Sequence, residues 1–112
     1  MLNTSIHYEN GRLFCDGVAV AEIAAQVGTP AYIYSGMRFL GNLRRIQAAF
    51  PKAHIHYSAK ANGNLAIMKM LINAGAGIDA VSAGEIHRAL IAGAQPENIV
   101  FAGVGKTGQE LY

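Results

Sequence analysis

Apolar positions along this chain change period more than once. Up to residue 20 they fall in short runs separated by turn residues. Asn10-Gly11 stands between Ile6–Glu9 and Arg12–Cys15 and predicts a hairpin. Asp16-Gly17 is a second turn signal. Val20, Ile23, Ala24 and Val27 then recur at helical spacing, and Gly28 ends that pattern. Thr29-Pro30 punctuates the chain.

From residue 31 a regular alternation begins. Residues 31–34 predict a short aromatic and β-branched strand. Residues 37–50 place Leu40, Leu43, Ile46 and Phe50 on one helical face, and Pro51 closes it. Residues 54–59 predict a second strand. Residues 64–74 predict a helix with Ile67, Met68, Leu71 and Ile72 as its apolar stripe, closed by Gly75. Residues 78–81 predict a third strand. Ser82, with Glu85 three positions on, has the spacing of a capping box and opens a helix that runs to Ala92 and stops at Gly93. Residues 99–102 predict a fourth strand, apolar on both faces as buried parallel strands are. A further helix opens at Thr107. The succession β-α-β-α-β-α-β predicts an α/β fold with a parallel sheet and helical crossovers, either open and doubly wound or closed into a barrel.

Composition sharpens this picture. Hydrophobic residues make up 52% of 112 positions and charged residues 14%, against a usual charged share of about 25%. A small globule needs proportionately more polar surface, so much of this apolar surface is expected to meet further protein. A complete eight-fold barrel takes ~250 residues, so the chain is expected to be a fragment holding the first four strands or so. Net charge is +2, with nine scattered Lys and Arg residues and no basic run, which argues against a nucleic-acid partner. No stretch is apolar for about 18 residues, which argues against a membrane span. The start lacks the pattern of a secretory signal. Cys15 is the single cysteine and fits a reducing cytoplasm and a structural role.

The densest chemistry lies in Tyr57-Ser58-Ala59-Lys60-Ala61-Asn62-Gly63-Asn64. Strand alternation would put Lys60 on one face with Ser58 and His56, at the C-terminal end of its strand. In α/β folds that end faces the active site. No acid flanks Lys60 in sequence, and a desolvated lysine is freed for Schiff-base chemistry. The plainer alternative is a lysine snorkelling at a strand end, and periodicity by itself favours that alternative.

The segment 57–62, followed by Ile67, Met68, Leu71 and Gly75 at matching offsets, resembles the cofactor-lysine signature of the fold-type III pyridoxal-phosphate-dependent decarboxylases. That group includes the diaminopimelate, ornithine and arginine decarboxylases. Ser58 departs from it, since the family more often has alanine there. Residues 77–85, with Asp79, Ser82 and Glu85, resemble the family's next strand and helix start. Residues 101–107 resemble the strand after that, in the diaminopimelate branch particularly, and residues 28–35 resemble the entry to the first barrel strand. The resemblance runs from about residue 7 to the end.

It implies a partial (β/α)8 TIM-type barrel that binds pyridoxal phosphate. Residues 1–28 would be strands and a helix leading in from a β-domain, and residues 29–112 the opening part of the barrel. Lys60 would carry the cofactor as a Schiff base, and Asp79 and Glu85 would lie near it. The implied reaction is decarboxylation of meso-diaminopimelate to L-lysine in a cytoplasmic homodimer, with an amino acid as the small-molecule substrate. The family's glycine-rich phosphate site, its acid for the pyridine nitrogen and its ring-stacking histidine lie later in its chain, so these residues by themselves are expected to be inactive. Other fold-type III enzymes, such as an alanine racemase or an ornithine or arginine decarboxylase, stay open, as does a non-enzymatic pyridoxal-phosphate-binding protein.

Two rival motifs weaken on inspection. Gly103-Val104-Gly105-Lys106-Thr107-Gly108 satisfies G-x-G-x-x-G, but it follows a late strand rather than the first of a dinucleotide-binding unit. A phosphate-binding P-loop would need glycine at Val100. His54 and His56 could share a metal, but no third ligand lies at useful spacing, and a strand-end role is the simpler reading.

Overall fold

The computed structural model describes residues 4–112. The chain divides into two compact units, a first ending at Gly41 and a second, Asn42–Tyr112.

The first unit is an antiparallel meander of β1 (Ile6–Glu9), β2 (Arg12–Cys15) and β3 (Val18–Ala19), followed by helix α1 (Val20–Val27). Both connections are two-residue loops. Glu9 pairs with Arg12 across Asn10-Gly11, and Cys15 with Val18 across Asp16-Gly17. All four loop residues have positive φ. This is the type I′ turn, whose twist matches that of the flanking strands. Helix α2 (Gly36–Ala49) begins in this unit, at a polar clip. Ser35 Oγ accepts from the Arg38 N–H at 3.0 Å and donates to Asp16 Oδ1 at 2.6 Å, while Asp16 Oδ2 accepts from the Met37 N–H at 3.0 Å. One turn aspartate thus satisfies donors that a helix start leaves orphaned.

The expected strand at residues 31–34 does not form. That segment joins neither sheet, and Tyr32 is 91% exposed. An extended segment becomes a strand only where a neighbour takes its ladder hydrogen bonds, and among the described residues none does.

The second unit carries a parallel sheet in the order β4 (His56–Ser58), β5 (Gly77–Ala80), β6 (Ile99–Phe101). Helix α3 (Leu65–Asn73) connects β4 to β5, and helix α4 (Ala83–Ile91) connects β5 to β6. The parallel α/β architecture therefore holds, with three paired strands rather than four. Side chains of Tyr57, Ile78 and Ile99 share one sheet face and pack with Met68, Ile72, Ala89, Ala92 and Ala94. Met68 and Ile78 are wholly buried. Alanines on and after α4 let that helix approach the strands closely, which suits the short crossovers.

The two helices end alike. The Ala76 N–H bonds to the Leu71 carbonyl and the Gly75 N–H to that of Ile72; the Ala94 N–H bonds to the Ala89 carbonyl and the Gly93 N–H to that of Leu90. These are Schellman ends. Gly75 and Gly93, at φ +90° and +100°, take the left-handed position that a side chain would strain. Ala76 and Ala94, directly after them, are buried and lead toward the next strand.

Candidate functional site

The C-terminal end of β4 differs from the sequence expectation in one respect. The strand stops at Ser58, and Ala59–Ala61 form a 3-10 turn. Ala59 is buried in the helix-side core, so the chain bends there toward α3 instead of continuing its alternation. Lys60 therefore sits in the turn and does not share a strand face with Ser58 and His56. It is exposed, so the described residues do not supply the desolvation expected from its sequence context. Among the described residues it has no hydrogen-bond or ion-pair partner, in keeping with the absence of a flanking acid.

The segment after Lys60 is fastened at three successive residues. Tyr57 Oη donates to the Asn62 carbonyl at 2.9 Å. Arg88 Nη1, from α4, donates to the Gly63 carbonyl at 3.1 Å. Asn64 caps α3, its Oδ1 accepting from the Ala66 and Ile67 N–H groups, and its own N–H donates to Asn62 Oδ1 at 3.0 Å. The lysine is thus carried on a short turn whose exit is held from the strand, from the loop itself and from α4.

Asp79 lies beside this turn on β5, opposite Ser58 in the parallel register. Ser58 Oγ donates to Asp79 Oδ2 at 3.1 Å. Asp79 Oδ1 is buried and has no hydrogen-bond partner. An unsatisfied buried acceptor is costly, and native structures retain few of them.

Glu85 is engaged at the start of α4. The Glu85 N–H donates to Ser82 Oγ at 3.2 Å, and Glu85 Oε2 accepts from the Val81 N–H at 2.7 Å. The Ser82-to-Glu85 spacing thus yields a cap, with the reciprocal bond falling one residue earlier than in a standard capping box. Glu85 fixes the turn that follows Asp79. Asp79 lies near the C-terminal end of β5, Lys60 in the turn that follows β4, and Glu85 in the first turn of α4, which follows β5.

The rival motifs take structural roles. Lys106 stands over the Phe101 ring at 5.3 Å, a cation–π contact, and Thr107 with Glu110 caps α5 (Gly108–Leu111). His54 and His56 line a cavity of about 200 Å3 at the opposite, N-terminal ends of the strands, together with Gln95 and Asn98. No cluster of three or more metal-ligating side chains occurs among the described residues. Cys15 is buried; burial pushes its thiol up, and the neighbouring Asp16 charge adds to that. No helix is long and apolar enough to cross a membrane among the described residues. The fastening of the lysine turn by Arg88 was not legible in sequence, because that contact spans 25 positions.

The family described as "Pyridoxal-dependent decarboxylase, pyridoxal binding domain" matches residues 38–112. The diaminopimelate decarboxylase of Aquifex aeolicus is 46% identical over 109 residues, which are 97% of this chain and 26% of that protein. That of Zymomonas mobilis is 44% identical over 108 residues, 92% of this chain and 26% of that protein. A crystal structure from Aquifex aeolicus superposes with a TM-score of 0.88 at 46% identity, covering 97% of this chain and 27% of its own. The diaminopimelate decarboxylase of M. jannaschii, crystallised with L-lysine, superposes with a TM-score of 0.89 at 35% identity, again over 97% and 27%. The chain spans about a quarter of the length of the relatives it matches.

Proposed function

Because the chain belongs to the pyridoxal-dependent decarboxylase family, we propose that it supplies the cofactor lysine of a diaminopimelate decarboxylase, and that this lysine is Lys60. The observation that carries the proposal is the turn at the end of β4: an amine without a partner, on a segment fastened at residues 62, 63 and 64, beside a carboxylate with a buried, unused oxygen.

These residues fit pyridoxal phosphate. Lys60 has the free amine that an aldehyde cofactor needs. Asp79 has an acceptor waiting for a donor. Glu85 contributes by holding Val81 and the start of α4, which keeps the β5 end in place. Bound there, pyridoxal phosphate would supply the electron sink that takes up the pair left when a substrate α-carboxylate departs as carbon dioxide. Lys60 would hold the group covalently through its amine, and that amine would also be the proton carrier.

In this reading the parallel sheet is the opening part of a (β/α)8 barrel, since a barrel's active site lies at the C-terminal ends of its strands. Residues 1–28 lead in from a β-domain, and residues 29–112 begin the barrel. The substrate is meso-diaminopimelate, the product L-lysine, and the working form a cytoplasmic homodimer. The identities of 46% and 44% to relatives of that name support the choice of substrate over that of ornithine or arginine.

The test is a chimera in which this chain replaces the matching N-terminal quarter of the Aquifex aeolicus enzyme. It is expected to release L-lysine from meso-diaminopimelate, and Lys60→Ala is expected to abolish that release. A folded, cofactor-loaded chimera that makes no lysine would contradict the proposal.

A further inference from the structure

Strand alternation and register place His56, Ser58, Gly77, Asp79 and Val100 on the sheet face opposite the helix-side core. Across that face, among the described residues, the hydrogen bond between two side chains is the one from Ser58 Oγ to Asp79 Oδ2, 3.1 Å long. It leaves Asp79 Oδ1 buried and unpaired. Remove the serine hydroxyl and, among the described residues, neither carboxylate oxygen keeps a donor. Ser58 therefore decides how Asp79 is oriented.

Ser58 is also the residue from which the lysine turn departs, two positions before Lys60. Ser58 is the register partner of Asp79, so the carboxylate and the start of the lysine turn stand on adjacent strands, about 4.8 Å apart, at one sheet end. When a lysine amine condenses with an aldehyde, nitrogen adds to the carbonyl carbon and water leaves with both amine protons; the imine nitrogen then takes one proton from solvent and carries a positive charge. A fixed carboxylate oxygen is a strong, charge-assisted acceptor for that N–H. A carboxylate free to rotate is a weaker one, because it must first be ordered.

We infer that Ser58 is a positioning residue: it acts through Asp79, holding the carboxylate so that Oδ1 receives the cationic N–H formed when Lys60 condenses with its aldehyde cofactor. The inference rests on the reading of Lys60 given above, and it adds a residue that touches neither the cofactor nor the reacting atoms.

The experiment uses the 112-residue chain as it stands. Pyridoxal phosphate is added, borohydride delivers hydride to the carbon–nitrogen double bond, and the labelled lysines are mapped by mass spectrometry. The quantity read is labelling at Lys60 relative to Lys52, Lys69 and Lys106. Ser58→Ala is expected to lower that ratio about fivefold, the factor that corresponds to one net hydrogen bond. Ser58→Thr, which keeps the hydroxyl, is expected to retain it. Ser58→Cys keeps the size but donates weakly and is expected to fall with alanine, which covers the case of a misfolded alanine variant. In an Asp79→Ala background, Ser58→Ala is expected to change nothing further, since its effect passes through Asp79.

A parent chain that favours Lys60 while the alanine and cysteine variants match it would overturn the role of Ser58 and leave that of Lys60 intact. A full serine effect in the Asp79→Ala background would also overturn it. Even labelling in the parent would remove the Lys60 reading and this inference with it.

Discussion

Glu110 accepts three donors with one carboxylate. The Thr107 N–H reaches Oε2 at 2.8 Å, the Thr107 hydroxyl reaches it at 3.0 Å, and the Ala83 N–H reaches Oε1 at 3.3 Å. The Thr107 N–H bond, then the Thr107 hydroxyl, then the Ala83 N–H hold its carboxyl below the usual carboxylate value of 4.5, against a small opposing effect of burial. The folded value lies below the unfolded one. The stabilisation is therefore present above 4.5 and is lost as pH falls through the lower, folded value. The amide shifts of Thr107 and Ala83 are expected to titrate together, with a common midpoint below 4.5, and Glu110→Gln is expected to remove that titration. Separate midpoints, or one at or above 4.5, would contradict the link between α4 and α5. At this scale the sequence was informative about identity and poor on partners. Ser82 and Glu85 stood out by spacing, and Lys60 and Asp79 by the family resemblance of their segments. The Ser58–Asp79 bond spans 21 positions and the Ala83–Glu110 bond 27, beyond any local pattern.

Whole elements were the most legible level. Ile6–Glu9, Arg12–Cys15 and Val20–Val27 form with the bounds their turn and period signals give. The helices after Asn64 and Ser82 begin at those caps and end before Gly75 and Gly93. What failed has a common physical origin. Residues 31–34 have strand-forming composition but no ladder partner, and β4 stops at Ser58 because Ala59 is drawn into the core. Composition cannot register either cause, since both depend on what lies alongside. Register also imposes a requirement at Gly77. A Cβ there would lie 2.5 Å and 2.6 Å from His56 ring atoms and 2.7 Å from the Asn98 carbonyl oxygen. The ring can swing aside, but the carbonyl belongs to the backbone. Gly77→Ala is therefore expected to destabilise the second unit by about 1–3 kcal/mol, the range for overpacking a tight site. A denaturant midpoint unchanged from the parent would show that the β5–β6 approach is looser than described.

For the molecule as a whole, the residues proposed to hold the cofactor gather at one end of the parallel sheet. Lys60 and Asp79 lie at the C-terminal strand ends and Glu85 on the helix that leaves β5, while the His54 and His56 cavity lies at the N-terminal ends. That polarity is what a parallel α/β sheet provides: every strand delivers its last residues to the same rim. The chain spans about a quarter of its relatives' length, and its high apolar share goes with exposed apolar side chains such as Val100 and Ile91. The family could be read from residues 57–62 and 77–85, because those segments combine a lysine, an asparagine two positions on and a serine cap at fixed offsets. The central claim is that Lys60 is the cofactor lysine, and the most direct measurement is the map of borohydride-trapped pyridoxal phosphate on the parent chain. Labelling at Lys60 several times that at Lys52, Lys69 and Lys106 is predicted. Equal labelling of all four lysines would contradict the claim.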